Sequence, residues 1–348
     1  LPGQRLNTAA PDFTMTTTAN PLPFPAGRPS DYLPLQDEPA FDAGKHLALE
    51  MPTETTDLAT LGYQEADLEQ CASTFAVSNA FRILSKEGVA AMRHVCDQIY
   101  HNRNASEGTG ANRLGSYARG AGYRSQFIRD FCDSPELAEH LSAIAGIPLG
   151  RHSVPAVACG INYAPEDISR AIDTWHVDSV AFDIVMMITD PTVLKGGEFQ
   201  YFHGTKQEGQ ALLGITGEEG VDTALPEDRV VTIPFPEAGF GFMQQGTMIF
   251  HRACRLLERA DRITMIPSFE VLPAHAPDST NTLNMADWDD PGICPELARH
   301  EIWRTQARLE SLLGEITLED EPAELSARIN AAIKRLVSFS DKLEKKSP

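Results

Sequence analysis

Between residues 153 and 271 the apolar residues fall in short runs with a period of two, and no long amphipathic helix separates them. The runs are Val154–Tyr163, the stretch 174–178, Ala181–Thr189, Glu198–His203, Arg229–Pro234, Gly239–Gln244, Thr247–Arg252 and Arg262–Val271. Turn signals divide them, among them Asp190-Pro191 and Gly196-Gly197, and residues 206–228 are a polar, Gly-rich insertion. Parallel strands need a crossover of a dozen or more residues, usually a helix. A chain of strands without crossover helices therefore folds as antiparallel sheet.

Helices flank this block. Ala80–Leu84 reads as a short strand, after which Ser85 caps a helix with Val89, Met92, Cys96 and Ile99 on one face. Ser134-Pro135-Glu136 opens another: a capping hydroxyl, Pro in the first turn and an acid at the positive end of the helix dipole. Leu137, Leu141 and Ile144 make its apolar stripe, and Gly146 ends it. Beyond Pro273, residues 274–295 read as loop and Glu296–Leu313 and Glu324–Lys345 as helices. In the second, Leu325, Ile329, Ile333, Leu336, Phe339 and Leu343 approximate one stripe, which suits a buttress, a homodimer contact or a pocket wall. Residues 1–40 lack periodicity and read as extended or disordered. Residues 41–150 form a helical part, 151–273 the strand core and 274–348 the C-terminal helices of one globular domain.

Charge and cysteine content narrow the function. Against 29 Lys and Arg stand 49 Asp and Glu, a net charge of −20, which disfavours nucleic acid and anionic membrane surfaces as partners. Six dispersed cysteines with no Cys-x-x-Cys pair suit reduced thiols in a cytoplasmic protein better than a zinc ribbon or disulfide framework. No run of 18 apolar residues is present, and the first residues have no apolar core of signal type. The chain does not begin with Met and Met15 offers an alternative start, so residues 1–14 are set aside as upstream sequence.

Thr174-Trp175-His176-Val177-Asp178 carries the chemistry. Read as strand, His176 and Asp178 point to one face, an imidazole beside a carboxylate. His251, 73 residues beyond Asp178, is the natural third ligand. Two His and one carboxylate on one face of an octahedral ion leave three positions for other ligands, the arrangement of non-haem Fe(II) oxygenases. Eleven residues later Arg262 and Thr264 share a strand face; guanidinium and hydroxyl together suit one end of a dicarboxylate.

His176-x-Asp178, a distant His251 and then Arg262-x-Thr264 resemble the pattern of the Fe(II)/2-oxoglutarate-dependent dioxygenases, over roughly residues 150–270. The resemblance implies an α+β fold with a double-stranded β-helix (jelly roll, cupin-like) core. It implies Fe(II) on His176, Asp178 and His251, with 2-oxoglutarate and O2 as co-substrates and the 5-carboxylate of 2-oxoglutarate on Arg262 and Thr264. The reaction it implies is oxidation of an unactivated C–H bond of a small molecule, hydroxylation by default, with desaturation and ring closure as variations. Family members often hold the co-substrate with a polar residue near Asn162 and Tyr163.

Other readings stand beside this one. His203 competes for the third ligand position, and Arg252, Arg255 and Arg259 compete with Arg262, which Ile263, Met265 and Ile266 place in an apolar strand. The same triad could hold Zn(II) in a hydrolase, which would need an extra acid or base near the metal and no dicarboxylate clamp. A non-catalytic jelly-roll binding protein is the third possibility. The Gly-rich stretch 105–126 carries Arg113, Arg119, Arg124 and Tyr123, a plain solvated loop or a cover that offers Arg to a substrate carboxylate, such as that of an amino acid or natural-product intermediate.

Overall fold

The alternation of apolar residues resolves into two sheets. The computed structural model of the chain describes residues 21–102, 116–215 and 223–346. The early strands are β1 (Thr55–Asp57), β2 (Phe75–Ser78), β3 (Phe81–Arg82) and β4 (Tyr117–Ala118). Then come β5 (Leu149–Arg151), β6 (Cys159–Tyr163), β7 (Asp173–His176), β8 (Phe182–Met187) and β9 (Phe199–Phe202). β10 (Val230–Ile233), β11 (Phe240–Gln244), β12 (His251–Ala253) and β13 (Ile263–Val271) complete the set among the described residues. The larger sheet runs β1-β2-β11-β8-β13-β6-β4, with β3 beside β11 and β5 beside β13. The smaller runs β10-β9-β12-β7. All the pairings are antiparallel, as a chain without crossover helices requires.

Strand parity decides what each face meets. On β13, Ile263, Met265, Phe269 and Val271 point to the helical layer, while Thr264, Ile266 and Ser268 point between the sheets. β8 divides likewise: Ile184 and Met186 meet the helices, and Val185 packs in a second core with Phe199, Tyr201 and Ile233 of the smaller sheet and Phe242 of β11. The helical layer is α3 (Lys86–Asn102), α5 (Gln126–Cys132) and α6 (Pro135–Ala145), with Met92, Phe127, Phe131 and Leu137 fully buried. Ser85 and Ser134 cap α3 and α6 as their sequences predict, accepting from Gly88 and Leu137 N–H; such a cap contributes about 1 kcal/mol. α9 (Ile293–Glu315) and α10 (Pro322–Lys346) lie against Val154, Val157 and Val180 through Leu297 and Phe339.

Several expectations change: the run Thr247–Arg252 is strand only from His251, with a turn at 246–248, and the expected loop 274–295 contains a short helix at Thr282–Met285. The predicted strand from Val154 begins only at Cys159: the N–H groups of Val157 and Ala158 both bond the Val154 carbonyl, and Pro155 has no N–H for a ladder. The stretch expected as a polar insertion contains α7 (Lys206–Leu213), which opens with a reciprocal cap between Thr205 and Glu208. Gly209 disguised it, and is there because a Cβ would lie 2.4 Å from Phe250 Cδ1, so the helix can lie flat on the smaller sheet. Asp178 lies two residues past the end of β7, its N–H bonded to the Gly246 carbonyl at 2.9 Å. No helix among the described residues is long and apolar enough to cross a membrane.

Candidate metal centre

β7 and β12 are neighbours, and their register sets His251 directly opposite His176. The ring centroids are 4.1 Å apart. His176 Nδ1 donates to the Thr174 carbonyl at 2.6 Å and His251 Nδ1 to the Ile249 carbonyl at 2.9 Å. A carbonyl only accepts, so both rings carry their proton on Nδ1 when neutral and turn Nε2 inward. Each Nε2 is 3.3 Å from Asp178, one from Oδ1 and the other from Oδ2. Donor atoms on adjacent corners of an octahedron of ~2.1 Å radius lie ~3 Å apart. The three side chains thus form one cluster of metal-ligand spacing, on the inner face of the smaller sheet.

Neighbouring groups hold the carboxylate in place. Gln244 Nε2 donates to Asp178 Oδ2 at 3.1 Å and to Asp183 Oδ1 at 3.0 Å. Asp183 is on the inner face of β8 and fully buried, not solvent-facing. Burial, and then the charge of Asp178, push its carboxyl well above the usual carboxylate range. The close approach depends on Gly246: a Cβ there would lie 2.4 Å from Asp183 Oδ2 and 2.8 Å from Asp178 Oδ2.

The cluster opens on a cavity of ≈ 130 Å³ between the sheets, and Arg262, Thr264 and Asn162 line it with the three candidate ligands. Arg262 is 1% exposed. Its Nε donates to the Gly197 carbonyl at 3.1 Å and its Nη1 to Thr264 Oγ1 at 3.3 Å. No carboxylate among the described residues forms an ion pair with it, and burial pushes its pKa down to about 10. A buried cation facing a cavity without a protein counter-ion calls for an anionic ligand.

Other predicted residues are placed differently. Asn162 and Tyr163 were both candidates, but adjacent strand residues face opposite ways. Asn162 lines the cavity, whereas Tyr163 enters the helical core and donates its hydroxyl to the Cys96 carbonyl at 2.8 Å. Arg119 reaches the cavity mouth, stacked 3.8 Å over Trp288 and paired with Asp290 at 2.5 Å. Tyr123 and Arg124, in the short α4 (Ala121–Arg124), turn away from it: Tyr123 donates to Glu296, and Arg124 sits 5.2 Å from the Tyr32 ring. Arg113 lies outside the described residues. His203, Arg255 and Arg259 are exposed, and Arg252 lies over Trp175 on the outer side of the smaller sheet.

Sequence reasoning missed Asp173, Gln244 and Trp288. Asp173 lines the cavity with Oδ2 3.4 Å from His176 Nε2. Its i, i+3 offset from His176 breaks strand parity, and β7 carried no signal for it.

A second group has the same composition. His152, Glu270 and His300 lie together, wholly buried, outside the lining of the cavity. His300 Nδ1 is 2.7 Å from Ser153 Oγ, which donates to Glu270 at 2.9 Å, and its Nε2 is 3.0 Å from Asp278. Arg304 and Arg335 close on Asp278 at 3.4 and 3.3 Å. Despite its burial, hydrogen bonds that His300 donates to Asp278 and Glu270 raise its pKa to about 9.

No family model matches this chain, and no curated relative does either. Solved structures with some likeness include an α-ketoglutarate-dependent non-haem carbocyclase, SnoK, of nogalamycin biosynthesis. It shows 16% identity over 62% of this chain and 86% of that one, with a TM-score of 0.42. The epimerase SnoN of the same biosynthesis shows 14% identity over 56% and 78%, TM-score 0.39. The non-haem monooxygenase ThoJ, as its nickel complex, shows 13% over 57% and 74%, TM-score 0.39. These neighbours are non-haem enzymes, two of them α-ketoglutarate-dependent.

Proposed function

We propose that this chain is an Fe(II)- and 2-oxoglutarate-dependent oxygenase with a double-stranded β-helix core, acting on a C–H bond of a small molecule, by hydroxylation in the first instance. One observation carries the reading. A cluster of two imidazoles and a carboxylate shares a cavity with a buried arginine that forms no ion pair among the described residues. The residues fit the metal: both Nε2 atoms and the carboxylate converge, and both Nδ1 protons are fixed on backbone carbonyls.

His176, Asp178 and His251 would hold Fe(II), which with 2-oxoglutarate and O2 supplies the oxidising power. The chain's own groups then orient and enclose. Arg262 and Thr264 would hold the far carboxylate of the co-substrate by charge-assisted hydrogen bonds. Asn162, opposite Thr264 in the β6–β13 ladder, offers an amide beside the same ligand. Gln244 keeps Asp178 oriented, and Val185, Phe199 and Ile266 make the surrounding wall apolar and limit water. Trp288 and Arg119 form the mouth through which a substrate would arrive.

Asp173 favours a second reading, a Zn(II) hydrolase, because it gives that chemistry the acid or base it needs beside His176. One anaerobic titration separates the two. Fe(II) and then 2-oxoglutarate are added to metal-free protein and the visible charge-transfer band is recorded in wild type, His251→Ala and Arg262→Met. The oxygenase reading expects a band in wild type, none in the histidine variant and a much higher 2-oxoglutarate requirement in the arginine variant. No band in wild type, with Zn(II) held tightly instead, would sink it in favour of the hydrolase.

A further inference from the structure

Tyr123 and Arg124 turn away from the metal cavity and line another of ≈ 580 Å³, between the N-terminal strap (residues 24–38) and the start of α5. Three arginines line it: Arg124, which is 8% exposed, the half-buried Arg129 and the exposed Arg28. Arg124 Nε and Nη1 and Arg129 Nε are buried donors without a hydrogen-bond partner among the described residues. Arg124 lies 5.2 Å from the Tyr32 ring and Arg129 4.8 Å from the Phe24 ring, and Arg129 Nη2 donates to Gln126 Oε1, which also lines the cavity.

The one acid lining the cavity among the described residues is Glu38, and it is committed elsewhere. Its Oε2 accepts from Ser125 Oγ at 2.5 Å and Phe127 N–H at 3.3 Å, and its Oε1 from Gln126 N–H at 2.8 Å. Glu38 therefore answers the N-terminus of α5 rather than the arginines. The exposed Asp31 acts on Arg124 through its charge but does not line the cavity. Buried guanidinium groups without acceptors are costly, and an oxyanion with several acceptor atoms relieves that cost.

We propose that the cavity between the strap and α5 is a binding site for a small oxyanion, a phosphate or carboxylate group, held by Arg124 and Arg129 with Arg28 at the rim. The site is separate from the metal centre, and the proposal does not depend on the oxygenase reading. A bound anion would join the strap to α4–α5 and so stabilise the native chain in proportion to its concentration.

The test is a thermal melt and calorimetric titration of the full chain with inorganic phosphate at constant ionic strength. Wild type and Arg262→Met should show the same saturable rise in Tm with the same midpoint. In Arg124→Met and in Arg129→Met the midpoint should move up at least tenfold. If Arg124→Met does not fold, Arg129→Met and Arg28→Met give the same comparison. Parallel titrations with methyl phosphate and propionate tell which group the site prefers. The proposal is overturned if wild type shows no saturable response to any of the three probes. It is equally overturned if the arginine variants keep the wild-type midpoint, or if Arg262→Met alone loses the response, which would put the anion in the metal cavity.

Discussion

Two clusters among the described residues contain two histidines and a carboxylate within metal-ligand distance, yet they have opposite electrostatics. At His176, Asp178 and His251 both imidazole Nδ1 protons are given to backbone carbonyls, and a neutral amide, Gln244, steadies the acid. The cluster faces a cavity. At His152, Glu270 and His300 the protein supplies the balancing charge itself, through Arg304, Arg335 and a protonated His300. A His-and-acid inventory is thus not enough to identify a metal site. What separates the two is where the balancing cations come from: the first cluster would draw one from outside, and the second has Arg304, Arg335 and His300 built in.

The comparison breaks most sharply at the ligands. His251→Ala should cost far more metal affinity than the ten- to hundredfold typical of losing an outer hydrogen-bond partner, whereas His152→Gln should leave metal stoichiometry and affinity unchanged. Equal losses in both variants, measured by anaerobic Fe(II) titration, would make the buried group a ligand set. Conversely, His300→Gln should destabilise the fold by about 3–5 kcal/mol in denaturant melts, because it leaves Glu270 and Asp278 short of a cation in the interior.

The same residue gives the pair a pH signature. Its pKa rises from an ordinary 6.5 to about 9 in the folded chain, so its stabilising contribution is complete below 6.5 and is lost as pH climbs through 9. The denaturation midpoint should fall over that window in wild type and fall less in His300→Gln; parallel curves would assign the protonation elsewhere.

Within the metal cavity, Arg262→Met should raise the 2-oxoglutarate requirement about a hundredfold with little change in Fe(II) affinity. The smallest effect belongs to Tyr163→Phe, which removes one buried hydrogen bond worth about 1 kcal/mol. Its 2-oxoglutarate titration should match wild type; a shift there would return Tyr163 to the cavity side.

Parity explains what could be read ahead of the structure. Arg262 and Thr264 are two apart in a long apolar strand, so their common face was legible, and the structure sets both on the cavity. Tyr163 and Asn162 broke the same rule, since neighbours in a strand cannot both face one ligand. Contacts made by loops were not legible. Asp178 lies past its strand, and Gln244 and Gly246 reach it through a turn that alternation cannot anticipate. The Arg-rich stretch split between two cavities because α4 reverses the chain after Gly120, whose φ of +63° a sequence pattern does not reveal. The buried ion network was invisible for a different reason: its members come from four segments, and only packing α9 and α10 onto β13 brings them together.

β7 is the last strand of the smaller sheet, paired on one side to β12. Its His176 faces His251 across that pairing, seventy-five residues apart along the chain. A metal held by both imidazoles would act as a rivet at the sheet's open border, closing a long loop and resisting peeling of the outermost strand. Cofactor loading and protection of β7 amides against hydrogen exchange would then be a single event, so the chemistry-bearing form is also the form least able to pair its open border with another chain.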